Sequence, residues 1–170
     1  MDITHLCAQL ARSGQTILGL TEGIDDETAR IRYRADEWSI TEVMCHLYDE
    51  EREDFRLRVM QTLTAPHLPI PAIDPEAWVH SRNYAAQSLS RVRQQFRTER
   101  MRSIRQLQQL HNPPWQTHLN HPRLAELTAG DIAWSWLAHD LLHIRQLNQL
   151  VYWRLSATSP SPFLGYAGDW

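Results

Sequence analysis

The stretch of residues 128–155, TAGDIAWSWLAHDLLHIRQLNQLVYWRL, is the most apolar part of the chain. Its apolar side chains recur at spacings of three and four residues, the period of a helix, and they cover two faces of that helix. Thr128 precedes Asp131 by three residues, a spacing that predicts a capping box at the helix start. Because a helix that is apolar on two sides packs between other helices, the stretch predicts an all-α bundle.

Three other segments show the same periodicity, and patterns typical of strands are nearly absent. The second helix begins at another predicted capping box, formed by Ser39 and Glu42. Four prolines between residues 64 and 77 exclude a continuous helix there and predict a loop. Four helices joined in this way predict a four-helix bundle. The three further helices are predicted over residues 4–20, 40–63 and 83–110.

The chain has 170 residues and a net charge of −3, which predicts a single domain over residues 1–170 with an irregular tail over 158–170. This charge favours neither nucleic acid nor an anionic membrane surface, so we expect a small-molecule or protein partner, with no nucleic acid and no membrane. The N-terminus lacks a long apolar run, and Cys7 and Cys45 lack paired spacing. We therefore expect reduced thiols and a cytoplasmic location.

All 17 basic residues are arginines, because the chain contains no lysine. Schiff-base chemistry and the phosphate-binding loop that ends in Gly-Lys-Ser/Thr both need a lysine, so both are excluded. The predicted third helix concentrates arginines on its outer face. Since the chain as a whole is not basic, we interpret this face as solvated rather than as a nucleic-acid site. These arginines are Arg91, Arg93, Arg97, Arg100, Arg102 and Arg105.

His139 and His143 lie four residues apart in the predicted fourth helix, and Gln146 follows three residues later. Residues at this spacing project from adjacent turns with Cβ atoms roughly 5–6 Å apart, so both imidazoles can face one metal ion. The spacing alone is weak support, because nine histidines place such a pair by chance in roughly one protein of two. The alternative is that each ring hydrogen-bonds a buried neighbour.

A third donor is expected on the second helix. We select His46, which lies at the edge of the apolar stripe, where a metal site opens to solvent and substrate. Glu42 and Glu50, each one turn from His46, are predicted to orient its ring or to act as a base, and Gln146 is predicted to donate to a metal-bound group. A ligand role for Cys45 is less favoured, because its side chain projects about 100° around the helix from that of His46. The cluster of candidate ligands comprises Cys45, His46, Asp49, Glu50 and Glu53.

Six short motifs lie between residue 38 and residue 168: Trp38-Ser39, His46-Leu47 with Asp49 and Glu51, His121-Pro122, Glu126-Leu127-Thr128, His139-Asp140-x-x-His143-x-x-Gln146 and Tyr166-Ala167-Gly168. Together they resemble the motifs of the DinB/YfiT-like family. One departure is Ala125, where relatives often have Gly, and it affects the local turn. The resemblance implies a four-helix bundle of characteristic topology in which His46, His139 and His143 bind a divalent metal.

The resemblance also implies a function. Relatives include thiol S-transferases that use low-molecular-weight thiols, so the leading hypothesis is a metal-dependent enzyme that activates a thiol or water. The alternatives are a metal-dependent hydrolase and a non-catalytic stress- or damage-responsive protein with a structural metal. Three imidazoles with open positions suit zinc, nickel or ferrous iron, and zinc is the default. The frequent homodimers of the family predict a homodimer here.

Overall fold

The computed structural model describes residues 2–161 and 163–168. Over these residues it contains no strand, although His118 and Thr128 form an isolated β-bridge, so the all-α prediction is confirmed. None of the helices described is long and apolar enough to cross a membrane. The helices are α1 (Ile3–Leu20), α2 (Asp26–Ala29), α3 (Ile40–Asp49), α4 (Arg56–Thr64), α5 (Pro75–Ser81), α6 (Leu89–Gln108) and α7 (Ala129–Thr158).

The long helices form the predicted four-helix bundle. Helix α1 packs against α6 and α7, and α3 packs against the same two helices, while α4 continues the line of α3 along α7. Two clusters of buried apolar side chains fill the interior. Met44, Phe96 and Leu147 belong to one cluster, and Leu10 and Trp136 belong to the other.

Both predicted capping boxes are present. The Ser39 hydroxyl accepts from the Glu42 N–H, and the Ser39 N–H donates to the Glu42 carboxylate over 2.8 Å. Thr128 and Asp131 exchange the equivalent bonds at the start of α7. These contacts satisfy backbone N–H groups that a helix leaves unpaired at its first turn. Local sequence therefore sets where α3 and α7 begin.

The second predicted helix, residues 40–63, contains a feature that the prediction missed. A π-helical turn over Glu50–Phe55 joins α3 to α4. The buried positions Leu47, Glu51, Phe55 and Val59 follow one another at intervals of four. Each such interval rotates a regular α-helix by about 40°, so three in succession would carry the last side chain away from the core. The wider π turn absorbs this rotation and keeps all four side chains buried.

The third predicted helix, residues 83–110, is shorter in the structure. Asn83 has a left-handed backbone with φ of 49°, and a 3₁₀ turn follows over Tyr84–Ala86. Helix α6 begins only at Leu89, where the Ser88 side chain caps it. The helix starts later than predicted because Ser88 caps it at this point, and this local cap outweighs the apolar periodicity of the residues before it.

The predicted loop over residues 64–77 is interrupted by a short helix. Asp74 caps α5, and Pro75 occupies its first position, where a missing N–H costs nothing. In the predicted tail, residues 158–170, a 3₁₀ turn spans Leu164–Ala167. Phe163 precedes this turn, Tyr166 lies within it, and both side chains are exposed. The tail residues outside the described part of the chain are Pro162, Asp169 and Trp170.

Arg100 does not belong to the solvated face that was predicted for it. It is only 4% exposed, and its guanidinium donates to Glu51 over 3.0 Å and to Asp140 over 2.6 and 2.9 Å. Trp136 also donates its ring N–H to Glu51, and Ser13 donates to Asp140. Burial opposes the charge on Arg100, but the two carboxylates outweigh it and raise the pKa of the guanidinium. A buried charge network thus ties α6 to α1, the π turn and α7.

Replacing Arg100 with Met should destabilise the fold strongly, because the carboxylates of Glu51 and Asp140 would stay buried without a cation. Loss of one partner of a buried ion pair costs about 3–5 kcal/mol. Urea unfolding at pH 7 measures this loss. The matched control is Arg97→Met, one turn earlier on α6 and exposed, which should change the free energy of unfolding by less than about 0.5 kcal/mol. Equal losses in the two variants would contradict this role of Arg100.

Candidate metal centre

Three histidines from two helices meet at one point. The Nε2 atom of His139 lies 3.1 Å from Nε2 of His46 on α3 and 3.1 Å from Nε2 of His143 on α7. The potential ligand atoms of all three residues lie within 4.8 Å of one another. The structure therefore brings together the three residues selected from the sequence, and no other such group occurs among the described residues.

Two spacings between the imidazole nitrogens fit a metal ion. Imidazole nitrogens bind zinc at about 2.0–2.1 Å, so two ligands at 90–110° around the ion lie roughly 2.8–3.4 Å apart. The distances of 3.1 Å that involve His139 fall in this range. A single ion between the rings would satisfy three lone pairs that converge on the same place.

The protonation states of the rings also suit metal binding. Burial lowers the pKa of His46 to about 3, and the neighbouring His143 and His139 act in the same direction. Burial, followed by the effects of His143 and Arg100, lowers the pKa of His139 to about 3. The pKa of His143 is lowered as well, mainly by burial. At neutral pH all three rings are uncharged, the form in which histidine binds metals.

Gln146 determines the tautomer of His143. Its side-chain oxygen lies 2.8 Å from Nδ1 of His143 and accepts a hydrogen bond from that nitrogen. The proton on Nδ1 leaves the lone pair of Nε2 free to face the other two rings. Nδ1 of His46, in contrast, is buried and has no hydrogen-bond partner. The structure thus places Gln146 as a support for the His143 ring. Its predicted role as a donor to a metal-bound group stays a prediction.

Aromatic side chains hold the rings from two sides. The Phe55 ring centroid lies 4.9 Å from that of His139, and the Trp38 ring centroid lies 5.1 Å from that of His46. Phe55 reaches His139 from the end of the π turn. The π turn therefore contributes to the shape of the site as well as to the packing of the core.

The histidine cluster opens to solvent on one side. His46 is buried, but His139 and His143 are half-buried. A pocket of about 230 Å³ adjoins the cluster, and its lining residues are Asp36, Glu37, Trp38, His46, His143 and Gln146. Sequence reasoning missed Asp36 and Glu37, which lie in a polar linker without a recognisable motif. Their only signal was their position directly before the capped start of α3.

The family model of the DinB superfamily matches residues 9–147, most of the chain. The chain belongs to the DinB superfamily. A comparison with curated proteins finds no significant match. Among solved structures, this DinB-superfamily chain is similar to YfiT from Bacillus subtilis, with a TM-score of 0.77 and 19% identity over 89% of this chain and 86% of that chain. YfiT is described as a probable metal-dependent hydrolase with an unusual four-helix bundle topology, and the likeness shows that the two proteins share a fold.

The two predicted carboxylates of this DinB-superfamily protein have different surroundings. Glu42 receives a bidentate pair from Arg32 and the N–H of Ser39, and against the effect of burial these contacts lower its pKa. Glu50 begins the π turn, is 5% exposed, and leaves Oε1 without a hydrogen-bond partner. Burial raises the pKa of Glu50 to about 7, with Arg58 opposing the shift. Only Glu50 is therefore free to exchange a proton near neutral pH.

Among the described residues, the other candidate ligands of the second helix do not join the histidines in a metal-binding group. Cys45 is buried against the Tyr84 carbonyl, and burial raises its pKa to about 12, so its thiol stays protonated. Asp49 is paired with Arg82 over 2.8 Å, and Glu53 is paired with the same guanidinium. The preference for His46 over these neighbours agrees with the geometry.

Glu50→Gln should change stability in a pH-dependent way. Below the usual carboxyl pKa of 4.5, Glu50 is protonated in the folded and unfolded states, so the two proteins should be similar. Between pH 4.5 and 7 the unfolded chain loses this proton while the folded chain keeps it, and the wild type loses stability as pH rises. Above pH 7 the variant should be more stable by about 3 kcal/mol.

Urea unfolding of the two proteins at several values between pH 4 and 8 provides the test. The histidines are common to both proteins, so their titration cancels in the difference. A difference in unfolding free energy that does not vary with pH would contradict the raised pKa of Glu50.

Proposed function

We propose that this protein is a metal-dependent enzyme in which His46, His139 and His143 hold a divalent ion that activates a thiol or water. The observation that supports this most is the convergence of three neutral imidazoles at the floor of an open pocket. Structural zinc is normally enclosed by four protein ligands, whereas catalytic zinc has three and an open position. The open side of the cluster therefore favours a catalytic metal. Zinc is the first candidate, and nickel and ferrous iron fit the same ligands.

When bound, a divalent ion at this place supplies Lewis acidity, which lowers the pKa of a water or thiol to near or below neutrality. The residues of the chain hold and orient the three ligands. His143 is oriented by Gln146, and the rings of Trp38 and Phe55 keep His46 and His139 in place. Transfer of a low-molecular-weight thiol to an electrophile is our first choice of reaction, on the resemblance to thiol S-transferases.

Hydrolysis is the second candidate, and one observation favours it. Glu50 is a buried carboxyl with a free oxygen and a pKa raised to about 7, one turn after His46. A general base works best when its pKa lies near the working pH. In this version Glu50 accepts the proton of the attacking water. YfiT, whose fold is shared, is described as a probable metal-dependent hydrolase.

The decisive experiment is a metal titration of chelator-treated protein followed by elemental analysis. The wild type should bind one equivalent of zinc, and His143→Ala should bind it at least about a hundredfold more weakly, because a ligand is removed. His80→Ala is the matched control, since His80 is exposed on α5, and it should bind like the wild type. Equal, weak binding by the wild type and His143→Ala would overturn the proposal.

We also propose a homodimer that forms through the face shared by α1 and α7. A groove of about 510 Å³ runs along this face, and the apolar side chains of Leu137 and Ile144 line it. Trp134 and Leu141 beside them are 51% and 64% exposed. Exposed apolar surface of this kind marks an interaction site.

A cytoplasmic location is proposed on the two cysteines, which are free and buried.

Leu141→Asp should convert the dimer to a monomer, because it places a charge in the buried part of the interface. Size-exclusion chromatography with light scattering measures the mass of both proteins. Leu155→Asp on the same helix removes a leucine of comparable exposure, 52%, outside the groove and should stay dimeric. A mass that is the same for wild type and Leu141→Asp would contradict this interface.

A further inference from the structure

The pocket above the histidines carries two unpaired negative charges. Asp36 and Glu37 line it, and neither carboxylate forms an ion pair within the described part of the chain. The arginines that precede them in sequence are engaged elsewhere. Arg32 binds Glu42, and the Arg34 guanidinium lies 4.3 Å from the ring centroid of Trp153. The pocket lining therefore contains carboxylates but no cation.

A second observation also points to a ligand at this pocket. His46, which lines it, is 8% exposed, and its Nδ1 atom has no hydrogen-bond partner. The Nε2 atoms of His46 and His143 converge with that of His139 below it. Asp36 and Glu37 thus line the same pocket as two of the three histidines whose nitrogens could hold a metal ion. Any molecule that reaches the histidines through this pocket passes these carboxylates.

The third element of the pocket is an aromatic ring. Trp38 directly follows the acidic pair in the sequence. Its ring centroid lies 5.1 Å from that of His46. An indole face attracts cations, and more strongly where water is partly excluded. The volume of about 230 Å³ is below the range of about 300–1,000 Å³ typical of drug-sized ligands, so the pocket fits a small molecule or the end of a larger one.

We propose that this pocket selects small substrates that carry a protonated amine close to the group delivered to the histidines, and that it disfavours substrates with a carboxylate there. For the thiol-activating reaction, the preferred class is an aminothiol rather than an acidic thiol. Asp36 and Glu37 determine this specificity by charge, and Trp38 supplies a face for the ammonium group. The inference rests on the proposed metal-dependent function.

The test uses two small thiols that share a two-methylene spacer between the sulfur and a charged group of opposite sign. Cysteamine carries an ammonium group and 3-mercaptopropionate carries a carboxylate, and each is titrated into cobalt-loaded protein at low ionic strength. The change in cobalt absorbance reports thiol binding without any assay of activity. The quantity of interest is the ratio of the two dissociation constants, compared between proteins, so that the different intrinsic acidities of the thiols cancel.

The double variant Asp36→Asn with Glu37→Gln should lower the preference for cysteamine roughly tenfold. The reason is that the two carboxylates and the charged group of the bound thiol lie within a Debye length of each other in the wild type. Glu76→Gln with Glu126→Gln removes two exposed acidic charges far along the chain, and this control should keep the wild-type ratio within about twofold. Added salt should reduce the preference of the wild type and leave that of the double variant nearly unchanged.

The outcomes separate the inference from the function beneath it. An unchanged ratio in the double variant, with normal cobalt and thiol binding, overturns the inference alone. Complete loss of cobalt binding in the double variant also overturns it, because the carboxylates would then serve as metal ligands. A moderate loss of cobalt affinity is the expected effect of removing two negative charges near a divalent cation. Failure of the wild type to bind cobalt overturns the proposed function, and the inference with it.

Discussion

The buried guanidinium of Arg100 constrains the arrangement of the whole bundle. It lies between carboxylates from the π turn and from α7, and it also donates to a backbone carbonyl of α1 over 2.8 Å. Charges placed this deep are tolerated only when their partners stay in contact, since an isolated buried charge is very costly. Glu51 and Asp140 must therefore remain level with each other. That requirement limits how far α3 and α7 can slide along each other.

The metal centre depends on this limit. Asp140 follows His139 directly on α7, and Glu51 lies in the turn after the helix that carries His46. The network that aligns the two carboxylates consequently aligns the histidines on the same helices. Trp136 and Phe55 stack with ring centroids 5.9 Å apart and fill the space between the network and the site. The buried charge network and the candidate metal centre therefore depend on the same alignment of helices.

The three histidines are held firmly on the side that faces the bundle interior and are accessible on the side that faces solvent. Hydrogen bonds and aromatic contacts fix the rings of His46, His139 and His143 from within the bundle. On the outer side, the linker before α3 supplies an acidic lining rather than a fourth ligand. A rigid ligand set with an accessible face is the arrangement that catalytic metals need. The packing of α3 against α7 provides this arrangement, whereas the negative charge of the pocket comes from the linker before α3.

Much of the fold follows from local sequence. The capping residues Ser39 and Thr128 mark the starts of α3 and α7, and the apolar periodicity of these segments predicts the bundle. The four-residue spacing of His139 and His143 by itself puts both rings on one helix face. These features depend on residues only a few positions apart, so they can be predicted without knowledge of the rest of the chain.

Only the tertiary structure decided which donor completes the site, because His46 and His139 are 93 residues apart and meet through helix packing. The same reason explains the burial of Arg100, whose surroundings come from three other parts of the chain. A helical wheel places a side chain relative to its own axis and cannot show which neighbour covers it. The sequence by itself determined the long helices, the starts of α3 and α7 and the histidine pair. Packing between distant segments determined the third histidine, the buried charge network and the acidic lining of the pocket.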